Sequence, residues 1–158
     1  METTIAISNY FIQKSMNDGS ELTPMKLVKL AYLAHGWHLA LSEGDGEPLL
    51  SEFVYAWKYG PVVRSVYNMF KEYGKSRISS FHVDSEGKIP SVSNDNIKTL
   101  LDKIWETYKS YSGPQLSTLT HESGSPWDTV WNVDGGKHRL DAIIPNQLIR
   151  DYYRQKIN

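Results

Sequence analysis

Cysteine is absent, which excludes disulfides, thiolate metal sites and a thiol nucleophile. A surplus of either charge is absent too. Seventeen basic against 18 acidic side chains leave a formal net charge of -1. The broad positive field on which most nucleic-acid binders rely is therefore missing, and nucleic acid is not an expected partner. No glycine-rich loop followed by Lys and Ser/Thr is present, nor a dinucleotide fingerprint. Gly124-Ser125-Pro126 lacks the second glycine and the strand–turn–helix setting of a nucleophile elbow. His121-Glu122 opens like a zinc-protease motif, but Ser125 stands where its second histidine is required. The N-terminal stretch lacks the basic start, uninterrupted apolar run and small-residue cleavage site of a signal peptide, so a cytoplasmic protein is expected.

What is present suits a packed core. A chain of 158 residues, 40% hydrophobic and 12% aromatic, is the length of one domain spanning 1–158 and is too apolar to stay disordered. Helices are expected over about 4–17, 24–41 and 94–109, in two short pieces after Gly113-Pro114 and Ser125-Pro126, and from Pro145 on. Thr23-Pro24 is a strong start, because the hydroxyl takes an orphan N–H and proline has none to lose. The segment from Pro24 to Leu41 is apolar around most of its circumference, so it reads as a central helix. Lys26, Lys29, His35 and His38 would each be costly in lipid, which argues against a membrane span.

Phe53 to Trp57 is aromatic and β-branched and reads as a strand. Gly44-Asp45-Gly46 reads as a helix break, and Gly60-Pro61 as the start of another helix ending at Gly74. Residues 78–83 and 88–92 flank Asp84-Ser85-Glu86-Gly87 and read as a surface β-hairpin. The fold class is mainly α with a small β element (α+β), six to seven helices around the central one.

Local chemistry is sparse. His35 and His38, three apart, share a helix face, but no further ligands cluster near them, so the expected reading is packed side chains and no metal or cofactor. Arg150, Arg154 and Lys156, with Lys137 and Arg139, form either a modest phosphate-facing patch or a solvated face offset by Asp141 and Asp151; the latter is preferred. Five Trp and 10 Tyr are a better lead, since aromatic side chains anchor protein interfaces. Trp57 and Tyr59 would share a strand face, Trp57 packing toward the central helix and Tyr59, Lys58 and Arg64 lying at the surface. Trp127 reads as a core residue over Leu119.

Several segments occur in a telling order: Leu22-Thr23-Pro24-Met25-Lys26-Leu27, then Leu30-Ala31-Tyr32-Leu33-Ala34-His35-Gly36-Trp37, Ala56-Trp57-Lys58-Tyr59-Gly60-Pro61, Leu116-Ser117-Thr118-Leu119-Thr120-His121 and Ser125-Pro126-Trp127. The combination resembles the Panacea domain family, also called SocA-like antitoxin domains, over roughly residues 1–153. That resemblance implies a mostly helical protein acting by contact with a toxin protein and doing no catalysis. It also implies two alternatives: an adaptor delivering a bound cargo to a AAA+ protease, or a phage-encoded inhibitor of a host protein. An added DNA-binding helix-turn-helix, carried by some members, has no room here. A metal-dependent enzyme using His35, His38 or His121 is the last alternative. The candidate partner-binding residues are Trp57, Lys58, Tyr59, Arg64, His121 and Trp127.

Overall fold

Five helix starts fall where a side-chain oxygen is available to an orphan backbone N–H, in a computed structural model that describes residues 2–43 and 47–157. Helix α1 (Thr4–Asp18) is capped by Thr3, which accepts from the Ala6 N–H, and ends at Gly19 with φ 74°. Thr23 caps α2 (Pro24–Leu41) with Pro24 in the first turn. Asn94 caps α4 (Asp95–Tyr108). Ser112 and Gln115 form a reciprocal capping box on α5 (Gly113–Thr120), and Ser125 caps the single turn α6 (Pro126–Asp128). The chain then widens into a π turn over Thr129–Val133. Helix α7 (Asn146–Arg154) closes the fold. The expected break at Gly44-Asp45-Gly46 lies outside the described residues.

Helix α2 is central. Its buried residues lie on every side, and α3 (Arg64–Phe70), α4, α5, α7 and the sheet all pack against it. Among the described residues, no helix is long and apolar enough to cross a membrane. Three antiparallel strands form the sheet in the order β2-β1-β3: β1 Val54–Trp57, β2 Gly60–Val63 and β3 Ala142–Ile144. Val54 pairs with Val63 on one side and Ile144 on the other, so β1 is the middle strand. The result is the α+β class with a small sheet.

Two local expectations are corrected. Gly60-Pro61 does not start a helix: Gly60 pairs with Trp57 and Pro61 with Ala56 in the ladder, and α3 begins only at Arg64. Pairing with β1 outweighs the local start signal. Nor do residues 78–92 form a ladder. Their turn is present, with the Asp84 N–H donating to the Lys88 carbonyl and Gly87 at φ 78°. The flanks instead bind α1: the Asn9 amide donates to the carbonyls of His82 and Pro90 and accepts from the His82 N–H. A buried asparagine has taken backbone groups that a hairpin would have paired. The hairpin of this protein is β1–β2.

Candidate partner-binding face

The tip of the β1–β2 hairpin is the two-residue connection Lys58-Tyr59, closed by Gly60 at φ 114°. Only glycine takes that conformation without strain, and a Cβ there would also lie 3.1 Å from Lys29 Nζ. Three side chains from three helices hold alternate carbonyls around this turn. Trp127 Nε1 of α6 donates to the Trp57 carbonyl at 2.6 Å. Ser117 Oγ of α5 donates to the Tyr59 carbonyl, and Lys29 Nζ of α2 donates to the Pro61 carbonyl at 2.8 Å. With its backbone fixed from within, the tip presents Lys58 and Tyr59 outward, Tyr59 61% exposed with the Lys58 ammonium 5.5 Å from its ring centroid.

The six expected residues therefore divide. Lys58 and Tyr59 are exposed at the tip. Tyr59 lies beyond the strand, so alternation with Trp57 stops at the turn. Trp57 is half-buried: its ring meets Tyr67 edge-on at 5.1 Å, and its Nε1 donates to Asp141 Oδ1 at 2.9 Å. Arg64 is exposed, pairs with the other oxygen of Asp141 at 2.9 Å and lies over the Tyr55 ring. Trp127 is buried, stacked on Trp131 and tilted against His121, so its part is to support the turn. His121 is half-buried, with Nδ1 3.4 Å from Ser117 Oγ. That pair is not arranged as a nucleophile and base, because the Ser117 proton is directed to the Tyr59 carbonyl.

Lys29 and Asp141 are the residues that sequence reasoning missed. Lys29 is 2% exposed, and among the described residues no carboxylate pairs with it. Burial alone pushes its ammonium down to about 7, since a charge without a counterion is costly in a dry interior. Its signal in the sequence is a lysine on a helix apolar all round. Asp141, at φ 51°, joins the Trp57 indole to the Arg64 guanidinium from a segment over 75 residues away.

The other charged candidates are absorbed by the fold. His35 is fully buried, and burial pushes its imidazole below the usual range. The neutral ring accepts from the Leu50 N–H at Nδ1 and donates from Nε2 to Asn146 Oδ1 at 2.9 Å. His38 lies in a separate depression with Glu2 and Glu47. Among the described residues, no group of three or more His, Asp or Glu side chains is placed to hold a metal ion. The phosphate-facing arrangement of Arg150 and Arg154 is not present. Arg150 is buried, and Arg154 donates to the carbonyls of Ala40 and Ser42 at the end of α2.

Residues 27–128, which contain Lys29, the hairpin, Ser117 and Trp127, match the family described as Antitoxin SocA-like, Panacea domain. Antitoxin SocA of Caulobacter vibrioides (strain NA1000 / CB15N) is 31% identical over 165 residues, covering 97% of this chain and 84% of that protein. No solved structure matches the chain. The chain belongs to the SocA-like antitoxin, Panacea domain family.

Proposed function

We propose that this chain is a cytoplasmic antitoxin that neutralises a toxic protein by holding it in a stoichiometric complex, with the hairpin tip and its surroundings as the contact face. Family membership and the likeness to Antitoxin SocA support the antitoxin role. The observation that carries the contact face is the turn whose carbonyls at Trp57, Tyr59 and Pro61 are each held by a different helix. Rigid aromatic anchors bind well because little conformational freedom is lost on association. Tyr59 is such an anchor: a large, exposed ring on a backbone that is already ordered.

Co-expression with the toxic protein encoded beside its gene tests the reading. Restored growth and a co-purifying complex of fixed ratio are expected, with the toxic protein persisting at an unchanged half-life. No rescue and no complex with any neighbouring product would sink it. Accelerated loss of the toxic protein, dependent on a AAA+ protease, would replace sequestration with delivery.

A further inference from the structure

We propose, building on that neutralisation reading, that the groove between α2, the hairpin tip and α3 seats an apolar segment of the partner protein that carries carboxylates, and that Lys58 and Lys71 receive those carboxylates. The groove has a volume of about 360 Å³. Val28 and Val62, both buried, give its lining an apolar part. Tyr59 at 61%, Tyr67 at 40% and Met25 at 39% exposed stand around its rim.

Charge decides the occupant. The groove is lined by three lysines, Lys29, Lys58 and Lys71, and by no acidic side chain. Lys58 and Lys71 are exposed, and neither makes an ion pair among the described residues. Lys29, with its ammonium lowered to about 7 by burial, adds only a partial positive charge near neutral pH, so the exposed Lys58 and Lys71 carry the complementary charge. Carboxylates at the rim meet complementary charge, whereas a basic segment is repelled. Aliphatic and aromatic side chains suit the apolar part of the lining and the rim. A nucleic-acid strand fits less well, because the aromatic rings and lysines of the groove sit on a chain of net charge -1 that lacks the broad positive field by which strand binders hold a phosphate backbone. The groove also continues. Met25 and Gly74 are shared with a second depression of about 640 Å³, where Lys26, Lys75 and Lys109 outnumber the one acidic side chain, Glu21. An extended segment can therefore run from the hairpin toward the start of α5 while remaining over basic side chains.

The test uses the full chain, immobilised, and a phage-displayed library of random linear dodecapeptides. Enriched peptides are expected to combine aromatic or aliphatic residues with Asp or Glu. A chosen peptide should lose about tenfold in affinity for the Lys58→Glu/Lys71→Glu double variant and for Tyr59→Ala, and none for Lys88→Glu on the loop packed against α1. All of these changes lie at exposed positions, and circular dichroism confirms that the variants fold. Enrichment of basic or uncharged peptides overturns the proposal. So do no enrichment, affinity unchanged by the double variant, or tighter binding of a uridine dodecamer than of any peptide. The outcomes separate from those of the co-expression experiment. Growth rescue that survives Lys58→Glu/Lys71→Glu overturns the groove and leaves neutralisation standing. Absence of rescue by the unaltered chain sinks neutralisation whatever peptides the groove selects.

Discussion

Lys29 Nζ donates to the carbonyl of Pro61 at 2.8 Å, joining the central helix to the strand that follows the hairpin tip. Burial lowers this ammonium from 10.5 to about 7 in the folded chain. Between those values the unfolded chain holds a proton that the folded chain has released. The contribution of Lys29 to stability therefore rises with pH across that window, by up to about 1.4 kcal/mol per pH unit, and its penalty is fully in place below about pH 7. Lys29→Met removes the titration. Urea midpoints at pH 7.0 and 9.0 should increase more in the parent chain than in the variant; equal changes would show that the lysine stays charged when folded.

Trp127→Phe keeps a ring beside Trp131 and His121 but deletes the indole N–H that meets the Trp57 carbonyl. Losing a hydrogen bond to this part-buried acceptor costs about 0.5–1.5 kcal/mol. Chemical denaturation should register that loss. The weakened turn should also lower growth rescue, even though Trp127 is buried and away from solvent.

Tyr59→Ala separates folding from binding. The side chain is exposed, so stability should stay within about 0.5 kcal/mol of the parent. A central anchor typically contributes 2 kcal/mol or more, and the toxic partner should bind about thirtyfold more weakly. A thermal melt beside a titration calorimetry run gives both numbers. Unchanged affinity would remove the hairpin tip from the contact face.

Asp141 is the only non-glycine residue with positive φ among those described, and it accepts from both Trp57 and Arg64. Asparagine tolerates that backbone and still accepts from Trp57, losing only an exposed ion pair, so Asp141→Asn should cost no more than about 1 kcal/mol. Asp141→Ala adds left-handed strain and abandons the indole, and should cost about 1–2 kcal/mol more. Equal midpoints for the two variants would contradict this order.

Gly36→Ala probes the seam between α2 and α7. A Cβ at Gly36 would stand 2.8 Å from the Tyr153 ring and 3.2 Å from Ile149, so the Tyr153 ring or the helix that carries it must shift. Overpacking of this kind costs about 1–3 kcal/mol, visible as a lower melting temperature.

Features set by neighbours in the chain are legible in the sequence, and those set by distant contacts are not. Thr23-Pro24, Asn94, Ser112 and Ser125 announce their helices because a cap needs only the following turn. Gly60-Pro61 carries the same signal and is overruled by β1. Strand β3 has three residues and finds its partner more than 80 positions earlier, so no local pattern marks it. At the site, Tyr59 and Lys58 are readable as exposed residues beside a turn. The holding bonds from Lys29, Ser117 and Trp127 depend on packing of three helices that no spacing in the sequence reports.

The matched stretch ends at Asp128, yet β3 and α7 come later and complete what that stretch begins. Without them, β1 would keep a neighbour on one side only, and the hydrogen-bonding groups from Val54 to Ala56 would face outward as an adhesive border. The face of α2 around Gly36 would likewise lose its cover from Tyr153 and Ile149. A fragment cut to the recognised segment is therefore expected to self-associate, so the smallest piece worth expressing must reach through Arg154.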